Sequence, residues 1–130
     1  MTRMLALTLA VISAFANAQQ PGGNPEMKQV KNQVKPTPES IAAGQATYQK
    51  FCRFCHGNEA KGNGSMAPKD THPSNLTDDK WDRGSTDGEI FLVIANGAGP
   101  KFDMKANKSK LSDTDMWNIV NYLRSIGPAK

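Results

Sequence analysis

The feature that most constrains this 130-residue chain is where its only two cysteines stand. Cys52 and Cys55 are three positions apart, and His56 follows directly, in "FCRFCHGNEAKGNG". Three chemistries use such a pair: thiol–disulfide exchange, binding of a metal ion, and covalent anchoring of a larger group. Exchange of the thioredoxin kind needs the pair at the start of a helix that follows a strand in an alternating βαβ chain. Here the pair follows a helix instead. In "TPESIAAGQATYQKF", Thr37 is a cap, Pro38 suits the first helical position and Glu39 faces the positive helix end. Zinc needs three or four protein ligands. Only Cys52, Cys55, His56 and the distant His72 are on offer, and adjacent Cys55 and His56 fit one tetrahedral ion poorly.

The rest of the chain reads as helices joined by long connections. Ile41, Gly44, Tyr48 and Phe51 fall near one face of the first helix. A mid-helix glycine costs about 1 kcal/mol against alanine, so Gly44 points to a second backbone close by. From Gly57 to Gly84 the glycines and prolines carry little periodicity. A loop of that length in a small domain is uncommon unless it wraps something functional. "TDGEIFLVIANG" reads as a second helix with a Thr86/Glu89 capping box and a stop at Gly97. In the third, Ser112 and Asp115 form another box and Leu111 staples to Met116. Ile119, Val120 and Leu123 continue its apolar stripe, and Gly127-Pro128 ends it. No segment alternates as a strand, so the fold class expected is all-α.

Covalent haem attachment makes the fullest use of the constellation. Two cysteines one helical turn apart can reach two vinyl groups on one edge of a porphyrin as thioethers, and the next residue, His56, can turn an imidazole nitrogen toward the iron. In a chain with two cysteines and two histidines the string is a strong signal.

On these residues the chain resembles the class I c-type cytochromes, single-haem electron-transfer domains. The resemblance runs from about Pro38 to Gly127, through "GQATYQKFCRFCHG", "GNGSMAPKDTHPSNLTD", "IFLVIANGAG" and "LSDTDMWNIVNYLRSIG". It implies three main helices and long loops around one haem c held by Cys52 and Cys55. The first and last helices should cross at Gly44, with Tyr48 packed near Trp117 or Tyr122. His56 and Met104 are implied as the iron ligands, Met104 lying several residues before the Leu-Ser opening of the last helix. Many relatives follow that methionine with proline, where this chain has Lys105. Met66 and His72 are the alternative sixth ligands; Met27 falls in a leader and Met116 on the apolar stripe. A loop proline, Pro68 or Pro73, is expected to offer its carbonyl to the second nitrogen of His56.

With both axial positions filled the domain is a carrier of electrons, not an enzyme, working as a shuttle or as the haem subunit of a dehydrogenase or oxidase chain. With the sixth position open it would be a ligand-binding or sensing domain. Redox proteins are the expected partners, with acidic docking surfaces matching Lys101, Lys105, Lys108 and Lys110.

Arg3, the apolar stretch 4–15 and the small-x-small run Ala16-Asn17-Ala18 read as a secretory signal cleaved after Ala18, which places the mature chain in the periplasm. That stretch is shorter than the roughly 20 residues a spanning helix requires, and no other segment is apolar enough. Residues 19–36 read as a flexible leader rich in Gln, Asn, Pro, Gly and Lys, and 37–130 as the cytochrome c domain. The formal charge of +4 comes without dense basic runs, and aromatics are 7% of the chain, which argues against nucleic acid as a partner.

Overall fold

A computed structural model describes residues 22–99 and 103–128. The signal segment expected over 1–18 lies outside the described residues. Four helices carry the fold: α1 (Pro38–Phe51), the single-turn α2 (Arg53–His56), α3 (Asp87–Asn96) and α4 (Asp113–Ile126). Among the described residues there is no strand, only an isolated antiparallel bridge between Ala98 and Met104.

The helix ends follow the capping chemistry of the sequence. The Thr37 side chain accepts from Ser40 N at the start of α1, with Pro38 in the first turn. Complete capping boxes open α3 (Thr86 with Glu89) and α4 (Ser112 with Asp115). Asp87 and Arg124 tie α3 to α4 across 2.8 Å. Both side chains are near 30% exposed, so this pair contributes no more than about 1 kcal/mol.

α1 and α4 cross at Gly44. A Cβ built there would lie 1.9 Å from the carbonyl oxygen of Asn118, so the crossing is made backbone to backbone. The buried row of α1 is Ser40, Gly44 and Tyr48, at intervals of four. Ile41 sits at the edge of that row, and Phe51, expected on the same face, is 37% exposed. Tyr48 packs on Tyr122 at 5.4 Å, whereas Trp117 stacks on Phe91 at 4.1 Å. Met116, Ile119 and Val120 are fully buried core, Met116 included as expected.

The leader needs correcting. Over its described part, residues 22–36, it is laid against the helices rather than free. Asn32 donates to Asn121 Oδ1 (2.8 Å) and to Trp117 O (3.1 Å), and Asn121 donates back to Val34 O (3.0 Å). Val30 and Val34 pack against the core. The anchors are amides and small side chains, so composition reads as disorder where specific hydrogen bonds supply order.

Glu89 fastens the beginning of this strap. Its carboxylate is buried, with Oε1 accepting from Asn24 N (3.1 Å) and Oε2 from Thr86 N (3.0 Å) and Thr86 Oγ1 (2.9 Å). Burial works to raise its pKa, but these hydrogen bonds and nearby Lys28 outweigh it and leave the pKa below the ordinary 4.5. A depressed carboxylate pKa stabilises the fold above the unfolded value, and that stability is lost as pH falls below about 4.5 through the lower folded value. Glu89→Gln cannot accept at both oxygens, and hydrogen bonds to charged groups contribute about 1.5–3 kcal/mol each. The variant is expected to melt lower at pH 7 and to lose part of the acid dependence of melting. Parallel melting curves from pH 3 to 7 in wild type and variant would contradict the clamp.

Candidate functional site

The buried row of α1 continues by one more interval of four to Cys52, the C-cap of α1. There the chain tightens. Cys52 O accepts from both Cys55 N (3.2 Å) and His56 N (3.0 Å), forming the single turn of α2 that holds both sulfurs and the imidazole. The structure thus brings Cys52, Cys55 and His56 into one turn. Both cysteines are unbonded to each other and half-buried.

The carbonyls at the end of α2 are taken up by the loop that follows. Phe54 O accepts from Met66 N, Cys55 O from Gly64 N and His56 O from Gly62 N, at 2.7–3.0 Å. A Cβ on Gly64 would stand 2.3 Å from Phe54 O, so only glycine lets the loop lie this close to the cysteine turn. From Gly57 to Thr86 the chain forms no regular element.

His56 Nδ1 lies 3.1 Å from the carbonyl oxygen of Ser74. A carbonyl only accepts, so Nδ1 carries the proton and the lone pair is left on Nε2. Burial lowers the imidazole pKa, partly offset by the bond to Ser74, and so favours the neutral ring that a metal ligand needs. The orienting carbonyl therefore belongs to neither Pro68 nor Pro73, the two residues expected to supply it. Pro68 O is engaged by Thr71, through both N (3.1 Å) and Oγ1 (2.6 Å). Backbone acceptors carry no side-chain signature, which is why Ser74 escapes sequence reading.

The competing chemistries fare poorly. Burial, with Cys55 adding in the same sense, pushes the Cys52 thiol up to about 12, the reverse of what a nucleophilic thiolate requires. Among the described residues no three His, Cys, Asp or Glu side chains converge on a common metal position, and His72 is exposed. The residues do fit a haem: two unpaired sulfurs one turn apart, a neutral imidazole with its lone pair on Nε2, and a glycine-lined loop pressed against them.

Met104 lies on the connection between α3 and α4, where it pairs with Ala98 (2.9 and 3.1 Å). Asn107 pins this connection by donating its amide to Ile94 O (3.1 Å) and Lys105 O (3.2 Å). Met66 is 66% exposed and tied to Phe54 beside the cysteines. Lys105, Lys108 and Lys110 are exposed; Lys101 lies outside the described residues. No helix among the described residues is long and apolar enough to cross a membrane.

Comparison with known proteins gives a consistent picture. Residues 39–123 match the family model described as cytochrome c oxidase, cbb3-type, subunit III. Over 89 residues the chain is 35% identical to the cbb3-type cytochrome c oxidase subunit FixP of Bradyrhizobium sp. (strain ORS 278), covering 68% of this chain and 28% of that protein. It is 32% identical over 99 residues to the subunit CcoP of Rhodobacter capsulatus, covering 72% and 32%. The chain thus spans less than a third of the length of these two relatives. Among solved structures, a chain of the Kuenenia stuttgartiensis reducing HAO-like protein complex superposes with a TM-score of 0.64 at 27% identity, over 73% of this chain and 47% of that one. Cytochrome cL from Methylophaga aminisulfidivorans gives 0.58 at 24% identity, over 82% and 60%, a likeness of fold.

Proposed function

The chain belongs to the cytochrome c family described as subunit III of cbb3-type cytochrome c oxidase, and from that premise we propose that it carries single electrons between redox proteins in the periplasm. It has one haem c, attached at Cys52 and Cys55. Domains of this kind are typically extracytoplasmic. When bound, the haem supplies a one-electron iron couple. The observation that carries the proposal is the hydrogen bond that ties His56 Nδ1 to Ser74 O and leaves Nε2 available to a metal, in the same turn as Cys52 and Cys55.

In this reading His56 and Met104 would hold the haem iron. A thioether donor is soft and uncharged, favours Fe(II) and raises the potential. It also leaves no position for substrate, so the domain conducts rather than catalyses. Its place is that of a shuttle or of the haem subunit in a dehydrogenase or oxidase chain.

The optical spectrum of the oxidised protein tests the ligand set. Wild type is expected to show the weak far-red methionine–iron band, and Met104→Ala to lose it. Met104→Ala should also lower the potential by a sizeable part of the ~0.8 V range that axial ligands span. Ready carbon monoxide binding to unmutated reduced protein would instead favour a sensing domain with an open sixth position. The exposed lysines around Met104 suit an acidic redox partner, so the bimolecular rate with such a partner should fall as salt rises. A rate indifferent to salt in stopped flow would remove the lysines from docking.

A further inference from the structure

Tyr48 is fully buried, and its hydroxyl donates to the carbonyl oxygen of Gly57 at 2.7 Å. Gly57 directly follows His56. Resting on the reading of His56 as an iron ligand, we propose that Tyr48 is a positioning residue for it, gripping the His56–Gly57 turn from α1 while Ser74 holds the ring from the loop.

The turn needs an outside hold. Gly57 sits at φ +84°, a conformation that residues with a Cβ seldom adopt. Its N–H goes to Arg53 O (2.8 Å), its carbonyl also accepts from Ala60 N (3.1 Å), and His56 O accepts from Gly62 N (2.7 Å). Those three bonds close within the turn and its own loop. The bond from Tyr48 comes from α1, whose place is set by the backbone contact of Gly44 with Asn118 and by the packing of Tyr48 on Tyr122. A path of rigid contacts therefore runs from the α1–α4 crossing through Tyr48 and Gly57 to His56. Phenylalanine would fill the same core space, and a buried hydroxyl costs free energy unless it is bonded. Packing alone thus accounts for the ring of Tyr48 and leaves its oxygen unexplained.

Tyr48→Phe separates the two roles, with Tyr122→Phe as the control. In the oxidised protein the hyperfine-shifted haem methyl resonances report the orientation of the axial ligand planes. Tyr48→Phe is expected to keep one haem per chain in denatured mass and to displace the pattern of methyl shifts, while Tyr122→Phe leaves it in place. An unchanged pattern in Tyr48→Phe, with only a lower Tm, would make Tyr48 a packing residue and overturn the proposal. Should Tyr48→Phe fail to fold, Tyr122→Phe leaves Tyr48 as the only tyrosine of the chain. Uniform 3-fluorotyrosine then makes that one hydroxyl a stronger donor. A displaced methyl pattern is expected against the unfluorinated parent, and an unchanged one again overturns the proposal. A wild-type chain without bound haem refutes the underlying reading and the positioning role together, and denatured mass tells that case from the others.

Discussion

Gly44→Ala is expected to destabilise the domain, although the substitution improves helix propensity. Alanine gains about 1 kcal/mol over glycine inside a helix. Against this, the new Cβ would stand 1.9 Å from Asn118 O and 2.5 Å from its carbonyl carbon, both backbone atoms of α4 that no rotamer change can move. Overpacking a core typically costs about 1–3 kcal/mol and occasionally more, and a clash of two main chains belongs at the upper end. A net loss of about 2 kcal/mol should lower Tm by roughly 10 °C in a domain of this size. Larger side chains should be worse, with Gly44→Val failing to fold. A Tm that rises by a few degrees in Gly44→Ala would mean that propensity wins and the crossing is looser than described. The same crossing carries Tyr48 and, one interval further along α1, Cys52, so the variant should also disturb haem retention.

Replacing both cysteines, Cys52→Ala with Cys55→Ala, is expected to abolish covalent attachment. Haem should then leave the denatured chain in acidified organic solvent, where wild type retains it. Each single variant keeps one thioether and should retain haem with a shifted absorption maximum. The two sulfurs share one turn built on Cys52 O, so neither can be replaced by another residue of the chain, which has no third cysteine. Wild-type protein should also resist iodoacetamide, because thioether sulfurs lack the thiolate that reacts. Stoichiometric alkylation of both cysteines would restore the thiol reading.

Local chemistry made much of this architecture legible. Thr37, Ser112 and the Thr86/Glu89 box announce their helices because capping is a short-range interaction written in side chains. Gly44 announced the crossing because a glycine inside a helix lacks a local reason. The cysteine–histidine string was legible because its place after a helix and the lack of further ligands, with two cysteines and two histidines in the chain, left covalent haem as the chemistry that uses all three residues.

What escaped was long-range and carried by the main chain. The carbonyl of Ser74 that orients His56, the carbonyl of Gly57 that receives Tyr48, and the strap acceptors Val34 O and Trp117 O have no sequence signature. The strap misled for a related reason. Its Asn, Gln and Lys composition describes a chain that cannot bury apolar surface, and its order comes instead from Asn32 meeting Asn121, 89 positions away. Phe51 shares the face of Gly44 by helical spacing yet is 37% exposed, because it is the last residue of α1 and stands past the buried row Ser40, Gly44 and Tyr48.

The most direct test is the intact mass of the wild-type chain, exported by a host able to attach haem to secreted proteins and then denatured before measurement. Covalent haem at Cys52 and Cys55 predicts the mass of the polypeptide plus one haem, with no population of bare chain that grows on denaturation. The mass of the polypeptide alone would contradict it.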